Sequence, residues 1–220
     1  MSAPRLLFIE CSPRGDKATS SEFGRHLLSA ITTHIGHEVK VTKRNLGSES
    51  LPPISAAYAE SALLPAEEAR TRFPGQLGVS DLLIDELKAA DLLVIATPVH
   101  NFTVPAALKV WIDYVVRNDV TFKKTPEGKV GLLNDRPTLI AVTSGGAMFS
   151  DPPRQPDFFR PYLHAVLGVI GLHDVTFAQS TGLAFSSEPF AEVERQASEW
   201  ADANLDQLLR AVDSNSSGTQ

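Results

Sequence analysis

Ala90–Val115, ADLLVIATPVHNFTVPAALKVWIDYV, reads as a strand, a short loop and a helix. Leu92–Ala96 is an unbroken apolar run, the pattern of a strand covered on both faces of a parallel sheet. Pro98 follows it, then the polar and aromatic loop Val99-His100-Asn101-Phe102, and Pro105 opens an amphipathic helix that runs to Arg117. A loop between a strand and its following helix lies at the carboxyl edge of the sheet, where open α/β sheets bind ligands. Backbone amides, an aromatic ring, a carboxamide and an imidazole suit a flat heteroaromatic ring better than a sugar or a peptide.

The same alternation extends to both ends of the chain. Leu6–Cys11 reads as a buried strand, closed by SPRGDKATSSEF and followed by a helix from Ser20 to His34. Glu38–Arg44 reads as a second strand. Residues 51–75 hold Pro52, Pro53, Pro65 and Pro74, and read as an insertion over one rim of the sheet with a single short helix near Ile54–Leu63. Leu77–Ala89 is the next helix, with Leu82, Leu83 and Leu87 expected inward. Beyond the opening stretch, Val120–Asn134 is irregular and suits a small hairpin or lid. Thr138–Thr143 is a buried strand, Phe158–Ile170 a helix, and Val175–Ala178 a fifth strand. Pro189–Val212 is a closing helix with Val193, Ala197, Trp200, Leu205 and Leu208 inward. Asp213–Gln220 is polar and reads as a disordered tail. Five buried strands alternating with helices imply an α/β domain with a parallel sheet covered on both faces. A single domain spans residues 1–212.

Composition narrows the function. The chain has 220 residues, 43% of them apolar and 21% charged, with a net charge of −6. That balance gives no basic field for nucleic acid. The single cysteine, Cys11, excludes a disulfide framework or a cysteine-rich metal site and reads as a packed thiol. No signal-peptide core and no membrane-length apolar run is present, so the expected setting is cytoplasmic, away from membranes.

Three loops carry the chemistry. Ser12, Thr19, Ser20 and Ser21 place four hydroxyls around a helix start, more than an N-cap needs, and helix N-termini bind anions. The loop contains neither GxxxxGK[ST] nor GxGxxG, so the terminal phosphate of a mononucleotide fits it best. Val99–Phe102 forms a second wall and Ser144-Gly145-Gly146-Ala147 a third, its glycines allowing close backbone approach. Histidine is the residue type that exchanges a proton near neutrality, which makes His100 the candidate proton donor of the loop, although stacking is its plainer role. Phe122 and Phe149 are further pocket candidates. No catalytic side chain is assigned.

These loops resemble the FMN-dependent NADH-azoreductase and NADH:quinone oxidoreductase family. The resemblance rests on Ser12…Thr19-Ser20, Pro98-Val99-His100-Asn101-Phe102, Pro105…Leu108-Lys109…Trp111-Ile112-Asp113 and Val120-Thr121-Phe122. It continues through Thr143-Ser144-Gly145-Gly146 and Pro161-Tyr162-Leu163…Leu167-Gly168…Ile170-Gly171. It implies a flavodoxin-like three-layer sandwich, its five-stranded parallel sheet in the order 2-1-3-4-5. Ser12, Ala18, Thr19 and Ser20 would bind the FMN phosphate. Pro98, Val99, His100, Asn101 and Phe102 would line the flavin ring, and Ser144, Gly145, Gly146 and Ala147 would close its pyrimidine side. The resemblance further implies NADH, with NADPH as the alternative donor, a quinone or azo acceptor reduced by ping-pong hydride transfer, and a homodimer with FMN near the interface. The backbone N–H groups of Val99–Phe102 and Gly145–Ala147 are the expected donors to the reduced flavin. The chain departs from the family pattern at Ala18, where a hydroxyl is usual, at His100, where Tyr or Trp is common, and in the 144–147 loop, which lacks an arginine. The competing readings are a flavodoxin-type electron carrier and a flavin-binding regulatory module. Residues 51–75 and 118–135 favour the enzyme if they wall a pocket.

Overall fold

Apolar periodicity of two in the strands and near 3.6 in the helices decides which faces meet. A computed structural model describes residues 3–150 and 152–216. In chain order the elements begin with β1 (Arg5–Glu10), a 3-10 turn (Gly15–Lys17), α1 (Thr19–Ile35) and β2 (Lys40–Asn45). Next come α2 (Ala56–Ser61), α3 (Ala66–Arg72), α4 (Gly78–Ala89), β3 (Leu92–Pro98) and α5 (Ala106–Val115). The chain continues through β4 (Phe122–Thr125), β5 (Gly128–Gly131), β6 (Thr138–Thr143) and α6 (Phe159–Val169). It ends with β7 (Val175–Ser180), a second 3-10 turn (Leu183–Phe185) and α7 (Pro189–Ser216).

The main sheet is parallel, ordered β2-β1-β3-β6-β7. With the β4–β5 hairpin set aside, this is the expected 2-1-3-4-5 flavodoxin-like order. Alternate residues of the central strands serve opposite faces. Leu7, Ile9, Leu93, Ile95, Ile140 and Val142 join one core with α4, α5 and α6. Leu6, Phe8, Leu92, Val94, Leu139 and Ala141 join the other with α1 and α7. Each of the Leu, Ile, Val and Phe side chains, fully buried, contributes about 1.5–3 kcal/mol of transfer free energy. Gly24 lets α1 lie close on β3, since a Cβ there would sit 2.3 Å from Ala96 Cβ.

Several details differ from expectation. The 51–75 segment forms two helices; Ser55 caps the first by accepting from the Tyr58 N–H at 3.0 Å. Tyr58 anchors that segment on α5 by donating its hydroxyl to the carbonyls of Asp113 and Tyr114. Leu82 is exposed, not inward. The buried arc of α4 is Ser80, Leu83, Ile84 and Leu87, spaced i, i+3, i+4, i+7, and Leu82 falls outside it. Trp200 is only partly buried; Ala201 takes the core position beside Ala197. The last helix continues to Ser216, and residues 217–220 lie outside the described residues. No helix among the described residues is long and apolar enough to cross a membrane.

Candidate functional site at the sheet switch point

The strand order reverses between β1 and β3, because β2 lies on one side of β1 and all later strands of the main sheet on the other. Chain connections leave the carboxyl ends of these two strands in opposite directions and open a crevice there. A cavity of about 520 Å³ occupies this position, within the size range of small-molecule sites. Ser12, Pro13, Arg14, Lys17 and Thr19 of the β1–α1 connection form one wall. Pro98, Val99 and His100 at the end of β3, with Thr143 and Gly145 at the end of β6, form the floor and a second side. Leu183 and Ala184 of the second 3-10 turn, with Pro189 and Phe190 at the start of α7, form a further, largely apolar wall.

The phosphate-type end is built around the start of α1. The N-cap position holds Ala18, extended at φ −96° and ψ 132°, and no side chain caps the helix. Ser, Thr, Asp or Asn would normally fill this position. The hydroxyls of Ser20 and Ser21 are buried without a hydrogen-bond partner, although buried polar groups are nearly always satisfied. Ser12 Oγ accepts from the Arg14 N–H at 3.3 Å. An uncapped helix start with unsatisfied hydroxyls fits an anionic group, and the terminal phosphate of FMN has that chemistry. Ser12 and Thr19 line the cavity as expected; Ala18 and Ser20 are buried within the helix start.

The second loop is a tight turn. His100 and Thr103 exchange backbone hydrogen bonds at 2.9 and 3.0 Å, so Asn101 and Phe102 form the tip. Both have positive φ, 47° and 69°, the arrangement of a type I′ hairpin turn that ordinarily favours glycine at its second position. Pro98, Val99 and His100 face the cavity, while Asn101 and Phe102 are exposed and stand outside its lining. The expected donors divide accordingly. The Val99 N–H is already given to Thr143 O at 2.8 Å and the His100 N–H to Thr103 O, so neither is free for a ligand.

The third loop is tied to the end of β7. The Ser144 N–H donates to Ser180 O, and the carbonyls of Ser144, Gly145 and Gly146 accept from Leu183, Ala184 and Gly182. The N–H groups of Gly145, Gly146 and Ala147 take no part in these backbone bonds, and of the four residues only Gly145 lines the cavity. A Cβ at Gly145 would lie 3.3 Å from Ala184 Cβ, so the third and fourth walls meet there.

Sequence reasoning missed the Leu183–Phe190 wall and the two cations Arg14 and Lys17. The rule that selected the first three loops, the carboxyl end of a parallel strand, applies equally to β7. Phe122 and Phe149 do not line the cavity. Lys129 Nζ stands 5.0 Å from the Phe122 ring centroid, and Phe149 packs edge-on against Phe159 at 6.3 Å. The 51–75 and 118–135 segments contribute no lining residue to this cavity. Cys11 is fully buried at the end of β1, and burial pushes its thiol far above the ordinary range.

A sequence-family profile described as a flavodoxin-like fold matches residues 4–204. FMN-dependent NADH:quinone oxidoreductase 4 of Pseudomonas fluorescens is 46% identical over 83% of this chain and 86% of its own length. FMN-dependent NADH:quinone oxidoreductase 2 of Cupriavidus pinatubonensis is 41% identical over 82% of this chain and 87% of its own. An FMN-dependent NADH-azoreductase from Bacillus anthracis, solved in complex with FMN, superposes with a TM-score of 0.74 at 25% identity. That match covers 91% of this chain and 98% of the azoreductase. Sharing a fold and most of its length with these proteins, the chain belongs to the flavodoxin-like FMN-dependent NADH:quinone oxidoreductases.

Proposed function

We propose that this chain binds FMN in the switch-point cavity and reduces quinones and azo compounds with electrons from NADH, or NADPH as the alternative donor. One observation carries the reading: the uncapped α1 start, with Thr19 in the lining and the Ser20 hydroxyl buried and unpartnered beside it, shares one crevice with Pro98, Val99 and His100. An anion site and a ring wall in one crevice suit a flavin mononucleotide. When bound, FMN supplies the two-electron hydride chemistry. The names of the relatives point to the same cofactor, donor and acceptor.

The protein's part is to hold and orient. Ser12, Thr19 and Ser20 bind the phosphate at the α1 start; the Ala18 N–H, the expected donor there, is already given to Gly15 O at 3.1 Å. Pro98, Val99 and His100 support the ring, with Asn101 and Phe102 reaching over its edge from the turn. The N–H groups of Gly145, Gly146 and Ala147 are the preorganised donors that stabilise negative charge on the pyrimidine side, with Ser144 holding their loop to β7. Held against Pro98–His100, the ring would leave its other face to the donor and the acceptor in turn, a ping-pong sequence. Residues 1–212 act as one FMN-binding domain, in a cytoplasmic homodimer with the cofactor near the interface.

The test is anaerobic titration of the purified yellow protein with NADH, followed by a quinone. Bleaching by one equivalent of NADH, reoxidation by the quinone and many turnovers under excess NADH are expected. Flavin that stays oxidised under NADH refutes the reading. Bleaching without turnover would assign the chain to one-electron carriers.

A further inference from the structure

Arg25 lies on the second turn of α1 and gathers three carboxylates. Its Nε donates to Glu10 Oε1 at 3.2 Å, its Nη2 to Asp16 Oδ1 at 2.9 Å and its Nη1 to Glu22 Oε2 at 3.3 Å. Glu10 ends β1, Asp16 is the middle of the 3-10 turn, and Glu22 is in the first turn of α1. The Glu10 carboxylate is close to fully buried, whereas the Asp16 side chain is 88% exposed.

The other hydrogen bonds of the 13–17 turn are local. Arg14 donates to Ser12 Oγ, Gly15 to Ser12 O, Lys17 to Arg14 O, and the Ala18 N–H to Gly15 O. Among the described residues, the Asp16–Arg25 pair is the one hydrogen-bonded tie from this turn to the body of the fold. The turn carries Arg14 and Lys17 into the cavity wall, and neither makes an ion pair among the described residues.

We propose that Arg25 is a positioning residue for the phosphate end of the cofactor. It pins the Gly15–Lys17 turn beside the α1 start, and it neutralises Glu10, whose buried charge would otherwise repel a phosphate. This deepens the FMN reading above and rests on it. An ion pair to so exposed a carboxylate adds little to global stability. Its effect is therefore local: the turn is held in one arrangement before the ligand arrives, which lowers the ordering cost of binding. Loss of the arginine removes the tie and leaves Glu10 buried without a cation.

The test compares FMN with riboflavin, which differ only in the phosphate, by quenching of flavin fluorescence on the full-length, flavin-free protein. Wild-type protein is expected to prefer FMN. Arg25→Gln should weaken FMN about tenfold, through the freed turn and the Glu10 charge left without its cation, and riboflavin less than about threefold. Arg25→Lys should recover part of the FMN loss. Asp16→Ala removes only the exposed tie, so it should weaken FMN about threefold with an unchanged melting midpoint. FMN and riboflavin affinities that fall together in Arg25→Gln overturn the proposal, as does wild-type FMN affinity in Asp16→Ala. The latter decides the matter even if Arg25→Gln fails to fold. Wild-type protein that holds riboflavin as firmly as FMN overturns the underlying phosphate assignment, and this proposal with it.

Discussion

Gly24→Ala tests how closely α1 must lie on the sheet to build the site. A Cβ at position 24 would stand 2.3 Å from Ala96 Cβ, and 3.2 and 3.3 Å from two atoms of the Phe8 ring. Carbon atoms make favourable contact from about 3.5 Å, so the helix must retreat by about 1.2 Å. Ala96 has no rotamer to change, and Phe8 is fully buried. The retreat loosens Phe23, Leu27 and Ile31, which bury the inner face of α1. Overpacking of this kind costs about 1–3 kcal/mol, and alanine's better helix propensity returns up to about 1 kcal/mol. The expected net loss is about 1–2 kcal/mol, or roughly 2–8 °C in Tm for a chain of this size. FMN affinity should fall as well, because the α1 start moves with the helix. Urea unfolding of Gly24→Ala, Ala96→Gly and the double variant measures the effect. Removing the Ala96 methyl relieves the closest contact, so the pair should couple by about 1 kcal/mol or more. Wild-type stability in Gly24→Ala, or strictly additive losses in the cycle, refutes the reasoning.

Three further outcomes follow from individual residues. Ser20→Asp places a carboxylate beside the expected phosphate, and two charges about 4 Å apart repel by about 4 kcal/mol at an effective dielectric near 20. FMN retention through gel filtration should drop at least about tenfold while riboflavin affinity changes little; a variant that stays fully yellow moves the phosphate elsewhere. Phe102→Gly relieves a non-glycine residue at φ 69°, so stability should rise by about 0.5–1 kcal/mol. Flavin reduction should slow in the same variant, because strain retained at a turn tip serves the site; reduced or unchanged stability in chemical denaturation removes the strain argument. The Cys11 thiol is fully buried and held protonated by that burial. It should resist iodoacetamide at pH 8 in the folded protein and react on unfolding, as read by mass spectrometry. Rapid alkylation of the native chain would place the thiol in reach of solvent.

Most of the architecture was legible because apolar spacing is a local property. Leu92–Ala96 and Thr138–Thr143 can be read as buried strands without knowing what covers them, and the structure buries every one of those residues. Leu82 shows the limit of such reading. Three leucines within six residues suggest one shared face, but the buried arc belongs to Ser80, Leu83, Ile84 and Leu87. The site divides in the same way. The loops after β1, β3 and β6 were visible because each follows a recognisable strand, and part of each reaches the cavity.

Residue order alone dictates the alternation of strands and helices, hence the parallel sheet and the edge on which a ligand binds. Which members of each loop face the cavity is set by how the chain packs in three dimensions. That packing turned Asn101 and Phe102 into an exposed turn tip, spent the Val99 and His100 N–H groups inside the fold, and brought Leu183–Phe190 across to close a further wall. The physical reason is one of range. Burial preference is carried by each residue and its near neighbours. A cavity wall is a relation between segments such as Ser12–Thr19 and Pro189–Phe190, at opposite ends of the chain, and nothing but the packing of the sheet brings them together.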